Sequence, residues 1–126
     1  MKDVLRTPET LAAYRKKRIA AGGTLSKVDL TTLPFITRWK YWILVENEFP
    51  YDLLASRHSL LVPRRFFAKD SDMTKTERKE LFLIKEQFSQ SQEYDWIVET
   101  NSGSVPGHFH LHCLKLHYVT PISELS

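Results

Sequence analysis

The sequence of 126 residues predicts an α+β domain with an antiparallel sheet of about four to five strands, one long helix packed on it and an additional N-terminal helix. Three observations lead to this prediction. Runs rich in β-branched and aromatic residues are separated by turn residues. A segment with apolar residues at helical spacing lies between two of these runs. Near the C-terminus, histidines alternate strictly with apolar residues, which is the period of a strand.

The N-terminal part is predicted to be a helix followed by a connector of mixed polarity. Thr7 is a suitable N-cap and Pro8 suits the first helical position. Gly22 lies where such a helix is expected to end. We therefore assign residues 1–38 to an N-terminal helical extension and connector, and residues 39–126 to the main domain.

The elements of the main domain follow from capping signals and periodicity. Thr74 and Glu77 have the spacing of a capping box and mark the start of the long helix. Ile84 and Phe88 continue its apolar stripe, and the helix is expected to end near Ser91. Strands are predicted over residues 38–46, 59–62, 94–100 and 108–116.

The most informative segment is the histidine run, which reads His-Phe-His-Leu-His-Cys-Leu from residue 108 to residue 114. Because alternate side chains of a strand point to opposite faces, the three histidines are expected to share one face. The residues between them, Phe109, Leu111 and Cys113, then point into the core. On a helix, the same spacing would spread the imidazoles around the axis. The strand is therefore the better interpretation.

Three chemistries are consistent with three imidazoles in a row. Neutral imidazole is a common ligand for zinc and suits copper, iron and nickel. Imidazole can also act as a nucleophile, with neighbouring rings that orient it and bind charge. A histidine-rich surface strand without chemistry is the third interpretation. Periodicity alone leaves these alternatives open.

The run also carries a resemblance to a known family. It fits at all seven positions the His-φ-His-φ-His-φ-φ signature of the histidine triad (HIT) superfamily, in which φ is apolar. Residues 47–52 (Asn-Glu-Phe-Pro-Tyr-Asp) and 58–65 (His-Ser-Leu-Leu-Val-Pro-Arg-Arg) resemble the upstream segment of that family. Residues 72–81 resemble the helix that follows. The resemblance covers about residues 40 to 117, so residues 39–126 are predicted to be a HIT-like domain.

The resemblance implies a nucleotide hydrolase or nucleotidyl transferase that works through a nucleotidyl-histidine intermediate and releases a nucleoside monophosphate. His110 corresponds to the nucleophile that attacks the α-phosphorus. His108 and His112 correspond to the histidines that bind phosphate oxygens, hold the tautomer of the nucleophile and help to protonate the leaving group. Phosphoramidates and dinucleoside polyphosphates are the implied substrate types. No metal and no cofactor are expected, because imidazole is a competent nucleophile near neutral pH.

Four further residues are candidates for binding the nucleotide. His58 matches the upstream histidine of the family, and Asn47 matches the position that usually holds the ribose hydroxyls. Each also has an ordinary structural interpretation, as a core histidine or as a turn residue. Asn101 and Ser104 lie in the turn before the histidines, where an amide, a hydroxyl and backbone N–H groups can cradle phosphate oxygens. An ordinary hairpin connection would favour the same residue types.

Departures from the family pattern keep two other functions open. Many relatives have Gly-Gln-Ser or Gly-Gln-Thr before the triad, whereas this chain has Gly103-Ser104-Val105-Pro106-Gly107. Phe66 also stands where a histidine often follows the basic pair. One alternative is therefore a catalytically degenerate HIT domain that binds nucleotide as a regulatory or interaction module. The other is a metal-binding histidine-cluster protein, since Pro-Gly-His-x-His also occurs in metal-binding β proteins of the cupin type.

Composition limits the remaining classes. The net charge of +3 predicts no specific nucleic-acid binding, and the basic run at residues 15–18 is typical of a solvated helix face. A single cysteine excludes an intramolecular disulfide framework. No apolar run is long enough to span a bilayer, and the N-terminus has no signal-peptide core, so a cytoplasmic protein is expected. The implied partner is a nucleotide or nucleotide conjugate. A homodimer through strand 38–46 or the long helix is a candidate assembly.

Overall fold

A computed structural model describes residues 5–20, 29–99 and 107–117 of the chain. Two α-helices and five β-strands are defined in these ranges, together with two short 3₁₀ turns at Leu30–Thr32 and Asp70–Asp72. In chain order the elements are α1 (Pro8–Ala20), β1 (Phe35–Arg38), β2 (Trp42–Glu46), β3 (Ala55–Pro63), α2 (Lys75–Ser91), β4 (Trp96–Val98) and β5 (Leu111–Leu116).

The five strands form one antiparallel sheet in the order β1-β2-β3-β5-β4. The central strand β3 pairs with β2 on one side and with β5 on the other, so His58 lies opposite Leu114 and Leu60 lies opposite His112. This architecture confirms the predicted α+β fold with an antiparallel sheet, a long helix and an N-terminal helix. The predicted N-terminal start of α1 and both ends of α2 are also confirmed.

All four strand predictions differ from the structure in their bounds: 59–62 lies within the longer β3, and 94–100 is shortened to β4 in the described residues. The predicted strand over residues 38–46 is a hairpin, in which Trp39 N–H donates to the carbonyl of Trp42 (2.8 Å) and β1 lies before the turn. No Gly, Pro or Asn marks this turn in the sequence. The predicted strand from residue 108 begins only at Leu111, because Phe109 N–H leaves the ladder and donates to the carbonyl of Phe67 (2.6 Å).

One face of the sheet is apolar and covered by α2. Thr74 and Glu77 form the predicted capping box at the start of this helix, with both reciprocal hydrogen bonds present. The face buries side chains of β2, β3, β5 and α2 in one continuous cluster, which includes Trp42, Leu44, Leu61, Leu81, Ile84, Phe88, Leu111 and Cys113. This is the hydrophobic core that the helical and strand periodicities predict.

The other face carries histidines and is covered by α1 and the 30–32 turn. Its apolar part is a smaller cluster made of Tyr14, Leu30, Ile43, Val45, Leu60 and Val62. Since residues directly opposite on neighbouring strands share a face, His112 lies on the same face as Leu60. The side of the sheet that holds the histidines is therefore the side that the N-terminal segment covers. The division of the chain at residue 38 stays a prediction.

A loop carboxylate attaches the N-terminal segment to this face. Asp52 lies in the loop between β2 and β3 and accepts hydrogen bonds from Thr7 N (2.7 Å) and from the hydroxyls of Thr7 (3.0 Å) and Thr10 (2.5 Å). These bonds lower the pKa of Asp52, with the Thr10 hydroxyl as the largest cause. Leu53 N–H also donates to the carbonyl of Leu5 (2.9 Å). The first turn of α1 is thus fixed to the loop that enters β3.

Candidate functional site

Four histidines from two adjoining strands meet on the face covered by α1. His58 comes from β3 and His112 from β5, while His110 and His108 lie directly before β5. The ring centroids of His58 and His112 are 5.0 Å apart, and those of His110 and His112 are 5.2 Å apart. The rings of His58, His108 and His112 are buried, and that of His110 is half-buried. His110 is consequently the most accessible imidazole of the cluster.

A chain of hydrogen bonds assigns the tautomers of His58 and His112. Tyr51 N–H donates to Nδ1 of His58 (3.0 Å), so the proton of this neutral ring is on Nε2. That Nε2–H then donates to Nδ1 of His112 (2.8 Å). His112 must therefore carry its own proton on Nε2. No acceptor for that Nε2–H lies within the described parts of the chain.

The backbone assigns the tautomer of His110. Its Nδ1 lies 2.8 Å from the carbonyl oxygen of His108, which can only accept, so Nδ1 carries the proton. The lone pair of the neutral ring is then on Nε2. A ring held in this way presents an unprotonated nitrogen in a fixed direction, which is the form that a nucleophile or a general base requires.

His108 closes the cluster on the side of β3. Its Nε2–H donates to the carbonyl of Pro63 (3.3 Å), which leaves Nδ1 as an acceptor without a partner in residues 5–20, 29–99 and 107–117. The ring of Phe66 lies 4.5 Å from the ring of His108, centroid to centroid, and is more than half exposed. Phe66 therefore contacts the first histidine of the run.

Burial keeps the cluster uncharged. It lowers the pKa of His58 to about 3, with help from the charges of His112, Arg6 and His110. It also lowers the pKa of His112 to about 3, with His110 and Arg6 as the next causes. The pKa values of His108 and His110 are lowered as well, and burial is again the largest cause. All four rings are thus neutral at pH 7, which the tautomers above require.

Asn47 lies beside the cluster but is engaged in a turn. Its Oδ1 accepts from Phe49 N–H (2.8 Å), and its Nδ2 lies 3.3 Å from Nδ1 and 3.2 Å from Nε2 of His58. Nearly equal distances to both ring nitrogens place the amide over the face of the imidazole. The structure thus brings Asn47 together with the four histidines. The other two candidates, Asn101 and Ser104, lie outside the described residues.

Two residues of the site were missed at the level of sequence. The ring of Tyr51 is stacked on that of His112, with centroids 5.4 Å apart and planes at 14°, and lies 4.4 Å from the ring of His58. The guanidinium carbon of Arg6 lies 4.7 Å from the centroid of Tyr51 and 4.3 Å from that of Tyr14. Tyr51 stood in the segment that resembles the family, whereas nothing local marked Arg6.

The described ranges contain no group of side chains suited to a metal ion and no helix suited to a membrane crossing. Among residues 5–20, 29–99 and 107–117, no three His, Cys, Asp or Glu side chains form a group that could hold a metal ion. In the same ranges, no helix has the length and hydropathy that a membrane crossing requires.

The fold has a counterpart of known structure. A histidine triad protein from Clostridium difficile aligns over 96% of this chain and 97% of its own, with a TM-score of 0.51 and 15% sequence identity. No protein-family model matches the sequence, and no curated protein matches it. At this level of identity, the likeness shows the fold: the chain adopts the HIT-like α+β architecture.

Proposed function

We propose that this protein is a nucleotide hydrolase or nucleotidyl transferase that attacks an α-phosphate through His110. One observation carries the proposal. The hydrogen bond from His110 Nδ1–H to the His108 carbonyl fixes the lone pair on Nε2 of the most accessible ring in the cluster. The fold of a histidine triad protein supports the same conclusion.

The proposed reaction has two steps. In the first, Nε2 of His110 attacks the α-phosphorus, a nitrogen–phosphorus bond forms, the bond to the leaving group breaks, and the leaving group takes a proton from solvent. In the second, water attacks the same phosphorus, the bond to His110 breaks, and a nucleoside monophosphate is released. An alcohol or phosphate in place of water gives transfer instead of hydrolysis. A covalent intermediate divides one difficult displacement into two easier ones.

The neighbouring histidines have complementary roles in this proposal. The Nε2–H of His112 is a buried donor without a partner in the described residues, and donates to a phosphate oxygen or to the leaving group. Nδ1 of His108 is an acceptor in the same state and can take up the proton that the attacking water loses in the second step. His58 fixes the tautomer of His112 through their 2.8 Å hydrogen bond.

The nucleoside side of the substrate is assigned to residues beside the cluster. Asn47 is proposed to bind the ribose hydroxyls, and its bond to Phe49 N–H fixes which end of the amide faces His58. Asn101 and Ser104 are proposed to contact phosphate oxygens from the turn before the histidines. The substrate is a phosphoramidate, a dinucleoside polyphosphate or a related nucleotide conjugate.

The test is hydrolysis of an adenosine phosphoramidate by the wild type and by His110→Ala, each with and without a chelator. We expect release of adenosine monophosphate that survives the chelator and is lost in the variant. Under single-turnover mixing, mass spectrometry should detect the nucleotidyl group on the peptide that contains His110. His117→Ala is the matched control, because His117 is exposed and its ring bonds only to the carbonyl of Asp52 in the described structure.

Other outcomes select the alternatives. Tight nucleotide binding without product, across a phosphoramidate, a dinucleoside polyphosphate and a nucleotidyl sugar, would assign the chain to the non-catalytic binding modules. Activity that disappears with the chelator would contradict a metal-free nucleophile. Activity that survives in His110→Ala would contradict the assignment of the nucleophile.

Homodimerisation is proposed through α2. The strand over residues 42–46 is unsuitable, because β2 lies between β1 and β3 and its Trp42–Val45 segment is buried. In contrast, Phe82 and Leu83 on α2 are more than half exposed. Sedimentation should show a dimer that Phe82→Glu dissociates, and a monomeric wild type would contradict this assembly.

A further inference from the structure

We propose that Arg6 is a positioning residue of the histidine site, where its guanidinium holds Tyr51 against His58 and His112 and supplies a fixed positive charge opposite a bound phosphate. The inference rests on the proposed function for the identity of the anion. It concerns a residue of the N-terminal segment, outside the part of the chain that resembles the family.

A continuous stack of planar groups connects Arg6 to the cluster. The guanidinium lies between the rings of Tyr14 and Tyr51, at 4.3 Å and 4.7 Å from their centroids. The ring of Tyr51 is in turn stacked on that of His112, with centroids 5.4 Å apart. Cation–π contacts of this kind gain strength when they are removed from water, and Arg6 is only 8% exposed. Displacement of the guanidinium would therefore release the ring that packs on His112.

A second contact fixes Arg6 to the same loop. Its Nε donates to the carbonyl of Phe49 (2.9 Å), two residues before Tyr51. The Asp52 hydrogen bonds to Thr7 and Thr10 hold the adjoining turn in place. Phe49 and Tyr51, which both contact the guanidinium, thus belong to the loop that also donates Tyr51 N–H to His58.

The positive charge of Arg6 acts on the two buried histidines His58 and His112. Among the described residues, its charge contributes to lowering the pKa of His58 and of His112, after burial and the neighbouring histidines. The groups that face this pair are His110 from the approach to β5, Tyr51 from the loop, and Arg6 itself. Because burial keeps the imidazoles neutral, they contribute hydrogen-bond donors but no net charge toward a phosphate. A guanidinium behind them supplies the missing charge without competing for the nucleophile.

The charge also protects the tautomers. A proton added to His112 would go to its Nδ1 and break the arrangement in which His58 Nε2–H donates to that nitrogen, since both nitrogens would then be donors. A nearby fixed cation opposes that protonation. We therefore expect Arg6 to keep the His112 Nε2–H available as a donor over a wider pH range.

The first test needs no substrate. Nitrogen-15 spectra of the histidine rings should be recorded from pH 8 to pH 2 for wild type, Arg6→Met, Arg6→Lys and Lys16→Met, with amide spectra at each pH to establish that the protein is folded. We expect the protonation midpoints of His58 and His112 to rise by about one unit in Arg6→Met and to stay near wild type in Arg6→Lys. Lys16→Met removes an exposed charge of α1 and should leave both midpoints unchanged.

The second test measures affinity for adenosine monophosphate by calorimetry. Arg6→Met should weaken binding on the order of tenfold, whereas Arg6→Lys should stay within about threefold of wild type. Equal titrations in wild type and Arg6→Met would overturn the inference, and so would an Arg6→Lys variant that behaves like Arg6→Met. If Arg6→Met does not fold, a tenfold loss in Arg6→Lys overturns it and retention supports it. A protein that neither binds nor hydrolyses nucleotide would contradict the proposed function, and the ring titration would then decide the role of Arg6 separately.

Discussion

The two faces of β5 are equally buried but differ in chemistry. Cys113 points into the α2 face, where burial raises the pKa of its thiol to about 12, and His112 points into the α1 face, where burial lowers the pKa of its ring to about 3. Both groups are kept neutral by the same physical cause. They differ in their surroundings, because the α2 face is lined by apolar side chains while His112 adjoins His58 and His110 and is influenced by the buried cation Arg6. Burial thus makes an inert thiol on one face and a set of oriented donors and acceptors on the other.

The largest expected effect is the loss of stability in acid, which acts through the histidine face of the sheet. The folded pKa of His58 and His112 is about 3, below the ordinary value of 6.5, so the unfolded chain binds more protons between these values. Stability is therefore present above pH 6.5 and is lost as the pH falls toward 3. We expect urea unfolding at a series of pH values to show a loss of several kcal/mol over this range. His58→Gln should make the pH dependence of stability less steep. A variant whose stability depends on pH as steeply as that of the wild type would contradict this prediction.

A cavity in the α2 face should lower the unfolding free energy without changing the turnover at the histidine site. Ile84 is 1% exposed and packs in the core cluster, so Ile84→Ala is expected to cost about 3 kcal/mol of unfolding free energy. Gln87 is exposed on the same helix, and Gln87→Ala should change stability by less than about 0.5 kcal/mol. Urea unfolding measures both. A change in the turnover of folded Ile84→Ala protein would show that the two faces are coupled.

Removal of the tautomer-fixing histidine should affect catalysis more than stability at neutral pH. In His58→Gln, Nδ1 of His112 no longer accepts a hydrogen bond from an imidazole, and the His112 ring is free to take either tautomer. We expect kcat to fall about tenfold to hundredfold, which corresponds to roughly 2 kcal/mol in the barrier. His58→Ala, which leaves no polar group, should fall further. An unchanged kcat in both variants would remove His58 from the site.

The smallest expected effect lies at the cap of α2, on the apolar side. Thr74→Ala removes the hydroxyl that accepts from Glu77 N–H (3.1 Å) and should cost about 1 kcal/mol of stability. Thr74→Ser keeps this acceptor and should restore most of the loss. Thermal unfolding of the three proteins checks the prediction, and a Thr74→Ser variant as unstable as Thr74→Ala would show that the methyl group matters more than the hydrogen bond.

The α2 face was predictable because its signals are local. A capping box and apolar residues at helical spacing located α2, and strict alternation assigned Cys113 to the core and His112 to the opposite face. The strand β1 was not predicted, since its turn at residues 39–41 lacks the residue types that mark turns.

The histidine face was predictable only in part. The run itself and the resemblance located the four histidines and Asn47, which the structure brings together. Arg6 and Tyr51 were missed, because their contacts join segments 45 residues apart and depend on how α1 packs on the sheet. Periodicity can state which way a side chain points, but it cannot state which distant segment will cover it.

The attachment of α1 through Asp52 has a consequence for the order of folding. The carboxylate that binds the first turn of this helix lies 42 to 45 residues further along the chain. A short helix with few buried residues gains little stability alone, and the closure of such a loop must precede the gain from these bonds. We therefore expect the β2–β3 hairpin to form before α1 docks. His58 would then be placed in the sheet before α1 covers it, and slow docking of α1 would appear as a separate kinetic phase in refolding.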